Sequence, residues 1–290
     1  MLARISKFTL TFFTVLLSQA TFASESTVSR QTYEVRGTLK NFNAAKHEAT
    51  IAHEEIPGFM SAMTMDFEVP DATAFQSLRA GDRLAFRLCV QGDRAWIDHV
   101  RQTGTSTALI VTPPPLQQAV RELKVGEKAP EIEWTDQSSK KTRMRDLRGR
   151  ALAITFIYSR CPLPTYCPLM NRNFATARTL LKQMGEQDNW QMISLSLDAE
   201  SDTPAVLAAY AKSHQADELH WSFATASDPD LRRLGDAVGL EFQRNGAQIN
   251  HNLRTVVIDV NGRIGHIFRG NSWTPQELAA ELRRAMQASR

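Results

Sequence analysis

The sequence predicts two domains, a small all-β barrel followed by an α/β domain. Three observations carry this. The 290 residues exceed what one ordinary domain needs. Short strands crowd residues 33–102, whereas strands alternate with helical patterns from Val125 onward. Between them, Thr112-Pro113-Pro114-Pro115 continues neither strand nor helix and makes a stiff spacer. The expected divisions are a leader at 1–23, the barrel at 33–102, a Pro-rich linker at 103–124 and the α/β domain at 125–290.

Arg4 and Lys7 precede the apolar run Phe8–Leu17, and Thr21-Phe22-Ala23 offers small residues for cleavage. This is the pattern of a secretory signal peptide. The run is 10 residues long, short for a membrane span, which needs about 20. The alternative is an uncleaved signal that anchors the chain to the inner membrane. The expected location is a bacterial periplasm, with no membrane span once the signal is cleaved. A net charge of +3 gives no reason to expect a nucleic-acid partner. Three cysteines cannot build a disulfide framework, so a pair with one left over points to a site.

In the first domain, Tyr33–Leu39 alternates apolar and polar residues, and Asn41–Asn43 begins a turn-rich link. Ala49–His53 and the stretch 61–69 are further strands. Arg83–Val90 and Arg94–Arg101 flank the hairpin signal Gln91-Gly92-Asp93. Met63, Met65, Phe67 and Val69 alternate and so share one strand face. Thioether sulfur is soft and suits Cu(I). Met60 lies at the bend after the Pro57-Gly58 turn, and His53 on the preceding strand. On spacing alone, the two strand methionines read as barrel core. Cys89, between apolar neighbours, reads as a packing residue. His47 and His99 read as surface or strand-end residues.

In the second domain, Glu131–Trp134 and Thr142–Leu147 lead to Ala151–Tyr158, an uncharged run rich in aromatic and β-branched residues. It reads as a strand buried on both faces. Cys161 and Cys167 follow, each before a proline, and then Met170, Phe174, Ala177, Leu180 and Leu181 recur at helical steps. A thiol pair where a buried strand meets a helix start suits redox or soft-metal chemistry, because the helix N-terminus favours the thiolate. Arg160 either lowers the pKa of Cys161 or is a solvated strand-end charge. Gln191–Leu197 and Trp221–Thr225 are strands, and Thr203–Lys212 and Pro229–Val238 helices. Thr255–Asp259 and Arg263–Arg269 form a hairpin about Val260-Asn261-Gly262, and a helix capped by Thr274 and Pro275 ends at Met286. The order suits a thioredoxin-like sheet. By residue type alone, His251 is a polar residue in the loop before a strand.

Residues Tyr33–Gln102 resemble the CusF-like periplasmic copper-binding domain, an OB-like barrel that binds Cu(I) through a histidine and an M-x-M. The resemblance implies His53, Met63 and Met65 as ligands. The family's capping tryptophan has no counterpart; Met60 stands in its place, as a third sulfur. From Val125 on, the chain resembles the Sco/SenC family, thioredoxin-fold proteins tied to copper delivery for respiratory oxidases. Gly126-x-x-Ala129-Pro130 supports only the fold. Ser194–Asp198, Asp202-Thr203-Pro204 and Asn250-His251-Asn252 are specific to the family pattern. This implies Cys161, Cys167 and His251 as ligands for Cu(I) or Cu(II). The family spacing is C-x3-C, but here it is C-x5-C. The two extra residues either bulge out with the sulfurs still converging, or change affinity and redox potential.

The function implied is a periplasmic copper metallochaperone serving cytochrome c oxidase assembly or copper homeostasis. Its expected partners are a copper-accepting protein such as an oxidase subunit, and other periplasmic copper carriers. The alternative is a thiol–disulfide oxidoreductase cycling Cys161 and Cys167 as a catalytic redox pair, with the barrel as copper buffer.

Overall fold

The computed structural model describes residues 29–45, 47–60, 62–92, 94–105, 122–185, 189–217, 219–245 and 248–288. The leader, the Thr112–Pro115 spacer and most of Leu116–Lys124 lie outside the described residues. Among those described, no helix is long and apolar enough to cross a membrane.

Five strands close the first barrel: β1 (Gln31–Asn43), β2 (Glu48–His53), β3 (Met63–Glu68), β4 (Asp82–Gln91) and β5 (Arg94–Thr105). They close in the order β1-β2-β3-β5-β4. All pairings are antiparallel except the seam, where β3 meets β5 in parallel through Glu68 and Trp96. β1 serves two neighbours. Its first part pairs with β4 and its second with β2, and the register shifts between Leu39 and Asn41. Asn41–Asn43, expected to begin a link, therefore continue the strand. A bulge re-aims a strand without ending it, and β1 uses one to turn the barrel corner.

Gly37 sits where β1 passes from one partner to the other. A Cβ there would lie 2.7 Å from Ile51 Cγ2 and 2.8 Å from the Ala52 carbonyl oxygen. The close approach of the strands thus requires glycine. Leu39, Ile51, Met65, Phe67, Leu84, Phe86, Leu88 and Ile97 fill the interior.

The second domain begins with β6 (Glu133–Asp136) and β7 (Lys141–Arg143). Then come β8 (Ala151–Ile157), α1 (Cys167–Gln183), β9 (Trp190–Ser196), α2 (Pro204–Ser213), β10 (Trp221–Ala226) and α3 (Asp228–Val238). The chain ends with β11 (Phe242–Asn245), β12 (Gln248–His251), β13 (Arg254–Ile258), β14 (Ile264–Arg269) and α4 (Pro275–Met286). Seven strands form a sheet in the order β14-β13-β8-β9-β10-β6-β7. β8, β9 and β10 run parallel at its centre. Every residue of β8 is buried, as its uninterrupted apolar run predicts.

The helices begin where their sequences say. Thr203 caps α2, Ser227 caps α3, and Thr274 with Glu277 forms a capping box on α4. α1 and α4 pack on one another and over β8. A buried polar chain fixes α1 against the sheet: Trp221 Nε1 donates to Ser194 Oγ at 3.1 Å, and that hydroxyl donates to Asn171 Oδ1 at 3.0 Å. Met170, wholly buried, is helix core. β11 and β12 form a separate two-stranded hairpin, so His251 ends a strand rather than lying in a loop.

Substituting Gly37→Ala should destabilise the barrel by about 1–3 kcal/mol through overpacking. A lowered urea midpoint for the barrel's unfolding transition would show it; an unchanged midpoint would mean β1 and β2 can separate at no cost.

Candidate functional site

At the barrel, the Pro57-Gly58 turn folds Met60 back so that the Ile56 N–H donates to the Met60 carbonyl at 2.8 Å. His53 on β2 lies directly across from Met63 on β3. His53 is 3% exposed. Its Nδ1 lies 2.7 Å from the Glu54 carbonyl oxygen, which can only accept, so Nδ1 carries the proton. Nε2 is then a bare lone pair, buried and without a partner among the described residues. Burial lowers the pKa of this imidazole and keeps it neutral. Met65 is buried on the same strand face, while Met63 remains partly exposed at the barrel rim.

At the sheet, β8 runs out at Ile157 and the chain turns through Ser159 and Arg160 to Cys161. The Asp202 carboxylate holds this turn: it accepts from the Ser159 N–H at 3.0 Å and from the Ser159 and Ser196 hydroxyls. Arg160 is neither free in solvent nor aimed at the thiol; it donates to Asp198 Oδ2 at 2.6 Å and to Ser201 Oγ at 2.7 Å. The loop to Cys167 is tied down by Asn271, whose amide donates to the Thr165 carbonyl at 3.0 Å.

The two thiols are unequal. Cys161 is partly buried and Cys167 wholly so. The Cys167 thiol donates to Cys161 and draws its pKa below the ordinary thiol value, against the opposing effect of burial. The Cys167 N–H at the start of α1 and the Tyr158 hydroxyl add to this. Burial, then the neighbouring Cys161, pushes Cys167 well up. Cys167 Sγ is 3.8 Å from His251 Nε2. His251 repeats the arrangement at His53: its Nδ1 faces the next residue's carbonyl, on Asn252, at 2.8 Å, leaving Nε2 as the acceptor. Among the described residues, no three His, Cys, Asp or Glu side chains form a ready-made cluster; Cys167 instead contacts Cys161 and His251 separately.

These two sets of residues face each other. Met60, Met63 and Met65 of the barrel share one cavity of ≈ 20 Å³ with Cys161 and His251 of the sheet domain. Tyr158 and Tyr166 also line it. Sequence reasoning placed these residues in two separate sites and missed the residues that join them. Gln248 Nε2 donates to the Phe59 carbonyl at 2.6 Å, and Asn250 Nδ2 to the Ala62 carbonyl at 2.9 Å. Asp66 of β3 lies beside the buried Tyr166 hydroxyl. Tyr166 belongs to the lengthened C-x5-C loop, so that spacing was the available signal. His266 faces Glu281 on α4 and is not part of the cavity. Cys89 is buried as expected, but Arg30 Nη2 donates to its sulfur at 2.7 Å.

A thioredoxin-like domain with an unequal dithiol and a neutral histidine, joined to a methionine-bearing barrel, defines a class of soft-donor proteins. The chain belongs to the SCO1/SenC family, whose model matches residues 122–287. Residues 32–102 match the model described as copper binding periplasmic protein CusF. No curated protein matches the chain.

Solved structures share the fold of the second domain. A protein from Aquifex aeolicus VF5 is 22% identical at a TM-score of 0.50, covering 58% of this chain and 97% of its own. A SCO1/SenC family lipoprotein from Bacillus anthracis is 23% identical at 0.50, covering 57% and 99%. BsSco, titled a member of the Sco family of cytochrome c oxidase assembly proteins with a disulfide switch, is 19% identical at 0.50, covering 58% and 99%.

Burial holds His251 down at about 4, well below the usual imidazole value of 6.5. In the metal-free protein the unfolded chain therefore takes up this proton first as pH falls. Stability from this group is complete above about pH 6.5 and declines as pH drops toward 4. His251→Gln should flatten that decline, read from urea titrations at about pH 7, 5.5 and 4.5; an unchanged slope would mean His251 titrates alike in the folded and unfolded chain.

Proposed function

We propose that this protein is an exported copper carrier with one Cu(I) site in the barrel and a second copper site at the dithiol. The observation that carries the reading is the matched state of the two histidines. In each, a backbone carbonyl accepts a hydrogen bond from Nδ1 and leaves Nε2 as a neutral lone pair, which at His251 lies 3.8 Å from the Cys167 sulfur. Metal-ligating histidines are commonly oriented this way, through the nitrogen that does not bind. The similarity to CusF and membership of the SCO1/SenC family support it.

In the barrel, His53, Met63 and Met65 are the ligands, with Met60 as a third sulfur. A set of neutral thioethers and one imidazole favours the soft monovalent ion. At the sheet, Cys161, Cys167 and His251 are the ligands. Two thiolates and an imidazole hold Cu(I), and accept Cu(II) with a fourth oxygen ligand. Cys161, with its lowered pKa, gives up its proton first, and Cys167 only as the metal arrives. The copper is cargo: it goes to an acceptor such as an oxidase subunit, in the periplasm, as the relatives' role in oxidase assembly suggests.

A second reading follows from the inequality of the thiols. A partly exposed cysteine with a lowered pKa beside a buried partner is the arrangement of attacking and resolving thiols in disulfide exchange. Under this reading the pair keeps an acceptor's cysteines reduced, and His251 handles protons.

Anaerobic titration of the reduced protein should give two equivalents of Cu(I), falling by one in the Met63→Leu/Met65→Leu variant. Unchanged stoichiometry in that variant would remove the barrel site. In the disulfide-reduction assay, the carrier reading expects His251→Ala to lose copper at the dithiol while substrate reduction is unaffected. A loss of reduction with copper retained would establish the oxidoreductase.

A further inference from the structure

We propose that the two copper sites share a transfer position, in which one Cu(I) is held at the same time by barrel methionine and by Cys161. This rests on the copper-carrier reading above and deepens it, from two sites on one chain to a single path between them. The cavity between the domains is its basis. Met60, Met63 and Met65 enter it from the barrel, and Cys161 and His251 from the sheet. Its volume of ≈ 20 Å³ admits one water-sized occupant, so it passes one ion at a time. His53 and Cys167 are not among its lining residues. Each is the inner anchor of its own domain's site, and the residues in common are those between them.

Every segment that brings a donor to the cavity also makes a contact across it. The 59–62 turn, which carries Met60, accepts from Gln248 and Asn250 on β12, the strand that ends in His251. β3, which carries Met63 and Met65, runs with Asp66 beside Tyr166 of the loop between the cysteines. The ligand-bearing segments are therefore also the docking segments. The two extra residues of the C-x5-C loop give that loop the length to place Tyr166 on β3, and this accounts for the spacing without loss of the site.

Transfer needs no change of oxidation state. Cu(I) leaves thioether donors and gains thiolate sulfur, one bond exchanged for one, and the Cys161 thiol releases its proton as it binds. A charged thiolate holds Cu(I) more strongly than a neutral thioether, so the path runs downhill from barrel to dithiol. Pro162, Leu163 and Ile249 give the cavity an apolar wall.

The test uses the full chain with selenomethionine for methionine and the substitutions His53→Ala and Cys167→Ser, which remove the inner anchor of each domain's site but leave the methionines and Cys161. One equivalent of Cu(I) is added anaerobically and the copper first shell is read by X-ray absorption. The expected result is selenium and sulfur together around one copper, with the selenium lost when Met60→Leu, Met63→Leu and Met65→Leu are added. Sulfur and nitrogen without selenium would overturn the shared position, placing the copper on the sheet domain alone. Selenium without sulfur would also overturn it, leaving copper with the barrel alone. Loss of copper from this variant but not from the unsubstituted chain would overturn the shared position, and loss from both would overturn the carrier reading with it. Should the alanine variant fail to fold, His53→Leu fills the same buried space and the same spectra decide.

Discussion

The Asp202 carboxylate is the interaction on which the dithiol site depends. It has no exposed surface and accepts from three donors around it, the Ser159 N–H and the hydroxyls of Ser159 and Ser196. A buried carboxylate is tolerated only when its oxygens are so satisfied. In return, it joins the ends of β8 and β9 to the start of α2. The chain leaving β8 thus has one direction, toward Cys161, and the loop beyond it closes on α1 with Cys167 fully enclosed. Without that anchor the two thiols would have no fixed relation to each other or to His251.

The same economy governs the histidines. Neither relies on a distant residue for its tautomer: each is set by the carbonyl of the residue that follows it. Local sequence therefore determines the state of the nitrogen, and tertiary packing needs only to bring sulfur near. β2–β3 pairing does this for His53 and Met63. For His251 it is done by the β11–β12 hairpin, which Tyr158 and Tyr166 meet edge-on at 6.0 and 6.4 Å.

What could be read from the sequence was what periodicity encodes. The uncharged run 151–158 gave the buried central strand, the M-x-M alternation gave the strand face, and Thr203 and Thr274 marked their helices. The β11–β12 hairpin was not legible, because its two four-residue strands are largely polar and pair only with each other. The continuation of β1 through Asn43 was hidden by its polar asparagines, which pair in regular register with Thr50 and Glu48 beyond the bulge. The meeting of the two sites was least legible of all. It is carried by side-chain amides on backbone carbonyls and by one tyrosine hydroxyl, none of which leaves a pattern at any fixed spacing.

The seam of the barrel has a consequence for its motion. Ring closure hides the edges that an open sheet would present to other chains, yet β3 joins β5 through the single pair Glu68 and Trp96, beside the ion pair of Arg94 with Glu68 at 2.6 Å. The free energy of a local opening follows the number of ladder bonds that must break, and this seam has the fewest in the barrel. The strand it releases is β3, which carries Met63 and Met65. The barrel's mechanical weak point and its softest donors are thus the same element, so β3 can yield while the rest of the ring, and the sheet beyond it, stay folded.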